Sequence, residues 1–510
     1  MTETSVKDEL RYVYSRVLPE TFFGLSSLGL FYGWGALSDS VNFRFSPDDP
    51  SRFSNQHGAF LGVVILVLLS LFQPFLLYLV TEKYFSEIGI HTFGLVMLTL
   101  GLAMGGISLK YKLLWLLYLG CAIPCGVGEL CIYFRVMYNH QLWFNQIGQK
   151  DFGSGLFGLC AGIWTVVSFV VSVPLLDMTN AANIFFIYAI SAFILGSWPL
   201  ISIRDFNHSG SQQAHSADSP THIRPEKADV ETARSQGEPC DTSSDERVSD
   251  REKSSSKIPS KTSATDKQPD ADIDELSFPL TMHELVRSPQ VVNIIVLQIA
   301  MLTPGWGIKL ASISILLNLF GVSNAYAAAV SSAYVSCYAI GRFFAGTAAE
   351  SLGARRTYIP LLLVMAFLLV SLSIPLRLMP HDSSTSSGCT LFAIIICVIG
   401  LLYGGAQALV YSLVFDIFGA LNYKKSFSCI GSGFSGAVIV GGLSSAYSFS
   451  LTGDAVAARD LAEAWFYSMA GGTLFALVLL LFLKPFDYDR AKERRRQKKE
   501  VLTKAVTIYI

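Results

Sequence analysis

Long apolar runs separated by short polar stretches set the pattern of this chain. A helix needs about 20 such residues to cross a bilayer. Runs of that kind fall at 19–40, 57–80, 90–109, 113–138, 154–177 and 183–203. After a long polar gap, six more follow at 289–317, 324–348, 358–378, 389–416, 428–449 and 464–483. The runs are continuous and too long for tilted barrel strands, so the pattern predicts helices. The expected fold class is an all-α membrane protein with twelve transmembrane helices in two halves of six.

The polar gap contains "SSDERVSDREKSSSKIPSKTSATDKQPDADIDE". It is rich in Ser, Asp, Lys and Pro and poor in aromatics, so it cannot bury a core and is expected to be disordered. Its serines are candidate phosphorylation sites, although a passive tether is the simpler reading. Lys and Arg in short loops then set the orientation. One side collects Arg11, Arg16, Lys83, Lys150, Arg355, Arg356, Lys424, Lys425 and the tail "DRAKERRRQKKE". The other side holds Arg44, Arg52, Lys110, Lys112, Arg377 and Arg459 more thinly. Both termini are therefore predicted to be cytosolic. The glycosylation sequon Asn207-His208-Ser209 would then go unused. The expected organisation is a cytosolic leader at 1–18, a six-helix bundle at 19–203, a disordered cytosolic linker at 204–285, a second six-helix bundle at 286–483 and a basic tail at 484–510. The leader has neither the order of a signal peptide nor the acid-free, Arg-rich character of a mitochondrial presequence.

Composition agrees with a membrane protein. The 510 residues are 51% hydrophobic and only 15% charged, against about 25% charge in a soluble domain. Mean hydropathy is +0.45. A net charge of −1 gives no reason to expect nucleic acid as a partner. Most of the nine Cys lie in apolar runs, at Cys121, Cys125, Cys131, Cys160, Cys337, Cys397 and Cys429, and read as free thiols acting as small hydrophobes. Without a CxxC pairing, a His/Cys cluster, a phosphate loop or a nucleophile–base set, no metal, cofactor or enzyme activity is expected.

The most informative motif is "GRFFAGTAAESLGARRTYI", residues 341–359. Gly341 and Gly346 can let helices approach closely, and Gly353 suits a tight turn. Glu350 is placed to pair with Arg355, Arg356 or Arg342. The pattern resembles the signature loop of the major facilitator superfamily, which occurs after the second and the eighth helix. The first-half copy, "TEKYFSEIGIH", keeps Glu82, Lys83 and Gly89 but lacks the paired Arg. The resemblance covers nearly the whole chain except 204–285 and the tails, and implies two pseudo-symmetric six-helix bundles.

Three stretches narrow it. "GVGELCIYFRVMYNHQLWF" (126–144) resembles the fourth helix of oxalate/formate antiporter-like monocarboxylate carriers, matching at Gly126, Gly128, Tyr133 and Trp143-Phe144. "GVSNAYAAAVSSAYVSCYAIGRFFAG" (321–346) resembles their eighth helix. "YGGAQALVYSLVFDIFG" (403–419) resembles their tenth, with its Asp-x-Phe-Gly ending from Asp416 to Gly419. The departures bear on the substrate. The oxalate antiporter holds a dicarboxylate with one base in its eighth helix and one in its eleventh. Here neither Asn324–Ile340 nor Phe427–Leu451 contains a base, and the eleventh-helix position falls near Phe434. Tyr411 replaces the group's tenth-helix Pro, and Glu129 and Arg135 are additions.

A charge at mid-membrane costs about 3 kcal/mol or more unless paired or wet, which marks such residues as functional candidates. Glu129 reads either as a proton carrier or as a structural partner of a base. Arg135 reads as a salt bridge or a snorkelling chain at the inner helix end, or as part of a gate. Asp416 reads as a gate residue held by structural pairing. Gly-Trp-Gly occurs at 33–35 and again at 305–307. The first copy is followed by Asp39, 23 positions after Arg16, and the second by Lys309, 22 positions after Arg287. The depths match, so Lys309 is a candidate cation for a carboxylate, a partner of Asp39 in an outer gate, or an interfacial snorkelling Lys. Tyr32, Gln298, Tyr334, Tyr403, Gln407 and Tyr411 are candidate cavity-lining residues.

The resemblance implies a secondary active transporter for a small monocarboxylate such as pyruvate, lactate or formate, working by alternating access. Proton symport through Glu129 is the expected coupling, with a counter-anion as the alternative. The competing readings are a carrier for a sugar or amino acid and a receptor that binds solute without moving it. The expected setting is a monomer in the plasma membrane, or in an organelle membrane.

Overall fold

Among the described residues every regular element is helical. In this computed structural model those residues are 9–27, 29, 35–47, 57–81, 86–202, 279–377, 386–450, 455–489, 491–493 and 496–497. All of them belong to one compact unit. Tyr32, Gly33-Trp34, Glu82, Lys83, the side chain of Asp39 and most of the expected linker lie outside the described residues.

A π-helical turn at Val13–Val17 leads into α1 (Leu18–Gly24), and α2 is Gly35–Phe45. Helices α3 (His57–Leu71) and α4 (Gln73–Thr81) follow, bent by 43° where they meet. Next come α5 (Glu87–Tyr111), α6 (Ile123–Gln146), α7 (Lys150–Met178) and α8 (Ala181–Ser202). After 279 the order is α9 (Met282–Val286), α10 (Pro289–Phe320), α11 (Asn324–Leu352), α12 (Ala354–Ser371) and α13 (Ser373–Arg377). Helices α14 (Ser386–Ser450) and α15 (Ala455–Phe482) complete it.

Local chemistry explains the boundaries. The Ser288 side chain accepts from Gln290 N–H with Pro289 opening the helix, and Gly321 at φ 61° ends α10. The Ser323 side chain caps α11, and Gly353 at φ 83° separates α11 from α12. That backbone region is open to Gly and strained for other residues. Gly419 at φ 68° breaks α14 into two segments, so the Asp-x-Phe-Gly ending is a helix break.

Eight helices among the described residues are long and apolar enough to cross a membrane, nine if the bent α3–α4 pair counts as one span. That is short of the expected twelve for identifiable reasons. The first expected span is only partly described. The α11 helix is 29 residues long but rich in Ser, Tyr and Ala, which keeps it less apolar than its neighbours. The run Ser387–Ser448 counts once although Gly419 divides it.

Residues before 203 and after 279 meet along two seams. In the first, α7 lies on α11. A Cβ on Gly346 would come within 2.6 Å of the Gly155 Cα, and one on Gly162 within 2.2 Å of the Ala339 Cβ. In the second, α3 and α4 lie on α14. Ser70 and Ser435 share a hydrogen bond of 2.5 Å, and Gly431 gives room to Gln73. Small residues let backbones approach where apolar burial gives little drive between helices in lipid.

Packed residues occur within the stretches expected as linker, leader and tail. The linker was expected to run to 285, but Leu280 and Leu285 are fully buried and Thr281 forms a capping box with Glu284. Leu280 N–H donates to Asn422 Oδ1 at 2.8 Å, and Lys425 Nζ donates to Leu280 O at 3.0 Å. The leader was expected to end at 18, yet Val13 and Val17 are already buried and Tyr14 Oη donates to Gln149 at 2.7 Å. The tail was expected from 484, but Tyr488 Oη donates to Phe418 O at 2.6 Å. In each case apolar or hydrogen-bonding residues inside a polar stretch find partners that composition alone does not reveal.

The packing at Gly341 is testable. A Cβ there would lie 1.8 Å from Leu401 O, whereas one on Gly471 meets nothing within 4 Å. Gly341→Val should destabilise the fold by about 1–3 kcal/mol, lowering the melting temperature in detergent. Gly471→Ala should leave it unchanged or slightly raise it.

Candidate functional site

At the second seam lies a cavity of about 30 Å³, space for roughly one water. Its polar lining is Ser70 and Gln73 from the α3–α4 bend, Tyr133 from α6, Gln298 from α10, and Gln407 and Tyr411 from α14. Leu69, Leu302, Val410, Phe427, Gly431 and Phe434 complete it, and no charged side chain is among these residues. Both parts of the chain thus contribute. Tyr133 and Tyr411 join hydroxyl to hydroxyl at 2.6 Å, and the Tyr411 ring stacks on Phe427 at 5.2 Å. Gln298 Oε1 is buried without a hydrogen-bond partner among the described residues.

Three of the six candidate lining residues, Gln298, Gln407 and Tyr411, are therefore at the cavity. Tyr334 is not: its hydroxyl donates to Gly305 O at 3.0 Å. Tyr403 is fully buried and stacks on Tyr338 at 5.2 Å. The second Gly-Trp-Gly accounts for part of this packing. A Cβ on Gly305 would meet the Tyr403 ring at 2.2 Å, and one on Gly307 the Trp465 ring at 2.4 Å. Trp306 is buried, edge-on to Phe434 at 5.4 Å.

Lys309 is not an interfacial snorkelling residue. It is only 7% exposed, and its Nζ lies 4.8 Å from the Trp306 ring centroid and 4.9 Å from that of Tyr338. It stands two helical turns from Leu302, on the same face of α10. Arg342 arrives at the same ring, with its Cζ 4.5 Å from the centroid. Its Nη2 donates to the Tyr338 hydroxyl, and Tyr338 Oη donates to Gln407 Oε1. Arg342 lies inside the expected span 324–348, in α11, and is buried to 1% exposure. Tyr338 was missed by the sequence reading; its one signal was its place a helical turn before Arg342, among several similar aromatics.

Glu129 is fully buried in α6. Neither carboxylate oxygen has hydrogen-bond geometry with a described donor, and the Ser27 hydroxyl is its polar neighbour. It precedes the cavity residue Tyr133 by one turn. Arg135 is 2% exposed, which rules out the snorkelling reading. It shares a face of α6 with Asn139, one turn on, whose Nδ2 donates to the Glu20 carboxylate at 3.2 and 3.1 Å.

Glu350 pairs with none of the three arginines expected for it. Its Oε2 accepts from Phe152 N–H at 3.1 Å, at the start of α7, where unpaired amides and the helix dipole favour a carboxylate. The Gly353 turn sends Arg355 elsewhere, to Leu481 O at 2.6 Å, and Arg356 is exposed. Asp416 pairs with Lys150, each about one-third exposed, and Lys424 with Glu87 at 2.8 Å. The partners Lys150, Phe152, Lys424 and Glu87 had not been singled out as site residues, because nothing in their local sequence marks partners hundreds of positions away.

The family model of the Major Facilitator Superfamily matches residues 294–509. Among solved structures, the chain is similar to a bacterial homologue of the iron transporter ferroportin, in an outward-facing state with soaked iron. The TM-score is 0.53 at 12% identity, covering 91% of this chain and 98% of that one. It is also similar to a variant of the E. coli fucose:proton symporter FucP, with TM-score 0.49, 13% identity and coverage of 89% and 98%. No curated protein matches the sequence. The family match thus covers less than half of the chain, its later part from 294 onwards. At these identities the structural likeness concerns the fold alone.

The Lys150–Asp416 pair gives a quantitative expectation. Partly exposed ion pairs contribute about 0.2–1 kcal/mol. A double-mutant cycle with Lys150→Gln and Asp416→Asn, read by thermal unfolding, should return a coupling in that range.

Proposed function

We propose that this chain is a secondary active transporter that moves a small monocarboxylate, of the pyruvate, lactate or formate type, by alternating access. The observation that carries this reading is the convergence of Lys309 and Arg342 on Tyr338, whose hydroxyl meets the cavity residue Gln407. Two buried cations raise the positive potential around the cavity in a low-dielectric setting, and the cavity amides supply hydrogen bonds. Glu129, one turn from the cavity, is the proposed proton carrier. Glu350, Lys150–Asp416 and Lys424–Glu87 form the proposed inner gate, with Gly341, Gly346 and Gly353 allowing its close packing. Asp39 with Lys309 is the proposed outer gate. The proposed setting is the plasma membrane, with both termini cytosolic.

A second reading has its own support. The cavity lining carries no charge, and its three Gln suit a neutral or zwitterionic solute such as a sugar or amino acid.

Uptake into proteoliposomes at two pH values, over a panel of acids, sugars and amino acids, separates the readings. The monocarboxylate reading expects acid uptake stimulated by an inward proton gradient, and Lys309→Met should raise the KM for acids by about tenfold. Uptake of sugars or amino acids alone, or acid uptake indifferent to Lys309→Met, overturns it. Glu129→Gln should abolish gradient-driven accumulation yet retain exchange of labelled for unlabelled acid; accumulation that survives unchanged removes Glu129 from the coupling. A receptor would show no counterflow at all.

A further inference from the structure

The orientation of the Gln407 amide decides what the cavity asks of its solute. Arg342 can only donate hydrogen bonds, and its Nη2 donates to the Tyr338 oxygen. The Tyr338 proton is directed the other way, onto Gln407 Oε1. The acceptor end of Gln407 is thereby engaged by Tyr338, and the side chain lines the cavity. The Tyr338 ring is itself held by stacking on Tyr403 at 5.2 Å.

We infer that Tyr338 is a specificity-determining positioning residue: it carries the polarity of Arg342 through its hydroxyl to Gln407 and fixes that amide with its NH2 group toward the solute. This inference rests on the monocarboxylate reading and deepens it. A cavity amide held as a donor selects a solute group that only accepts, such as a carboxylate oxygen. It discriminates against a solute that presents N–H donors there, since two donors cannot satisfy one another. Hydrogen bonds in series polarise one another, so the Arg342 charge acts on a cavity that it does not line. Tyr338 need not touch the solute.

The test compares lactate with lactamide, which differ by replacement of an acceptor oxygen with an NH2 donor. The KM ratio, lactamide over lactate, is measured in proteoliposomes for the full chain, for Tyr338→Phe, for Gln407→Met and for the double variant. Tyr338→Phe frees the amide to turn, so the ratio should fall about tenfold. Gln407→Met removes the donor and should lower the ratio similarly, and adding Tyr338→Phe to it should change nothing further, as for two members of one chain. A merely structural role for Tyr338 would shift both KM values together and leave the ratio unchanged, whereas independent roles would multiply in the double variant; either result overturns the inference. If Tyr338→Phe does not fold, an unchanged ratio in Gln407→Met overturns it instead. Wild-type lactamide uptake without lactate uptake overturns the monocarboxylate reading, whereas lactate uptake with an unmoved ratio overturns the positioning role alone. Absence of both uptakes overturns both.

Discussion

Arg342 occupies the space that a side chain at Gly158 would take. A Cβ on Gly158 would meet the Arg342 chain at 2.5–2.9 Å, and Arg342 Nη1 donates to Gly158 O at 3.4 Å. Much of the centre of the molecule depends on that burial. A guanidinium inside a membrane protein must be solvated by the protein, and a backbone carbonyl, a tyrosine hydroxyl and an aromatic face are among the groups that meet Arg342. Satisfying Arg342 fixes Tyr338, Tyr338 fixes Gln407, and Gln407 lines the cavity. The glycine that admits the charge belongs to α7 and the charge to α11, so the same contact joins the two parts of the chain.

Other inter-helix connections follow the same logic at lower cost. On the side carrying Lys150, Glu350 and Asp416, contacts between the two parts are single charged hydrogen bonds and partly exposed ion pairs, each of them weak. Their weakness suits elements that must separate and re-form. The seams are different: they are close backbone approaches between small residues, which tolerate sliding but not bulk. Firm seams with weak polar latches fit the alternating-access cycle proposed above.

Several sequence expectations were correct in residue type and wrong in partner. Glu350 and Arg355 both make the hydrogen bonds their chemistry demands, but to Phe152 N–H and Leu481 O instead of to each other. Lys309 is the buried cation of α10, yet it meets aromatic rings where an interface had been one of the readings. Tyr334 and Tyr403 belong to the right helices, but their side chains are spent on packing and on a backbone carbonyl. The tripeptide Gly-Trp-Gly at 305–307 packs closely on Tyr403 and Trp465, which lie about 100 and 160 positions away, so no local spacing could name them.

The sequence by itself determined that its apolar runs are helical, because in a lipid setting their length and continuity leave helix as the available structure for them. It also marked the turn at Gly353, where the backbone needs a residue free to take a positive φ. Only the tertiary structure decided which charges are buried, which polar groups meet at the cavity and which way the Gln407 amide faces. Those outcomes depend on contacts between residues far apart in the chain, where a helical turn of difference in register replaces one partner with another.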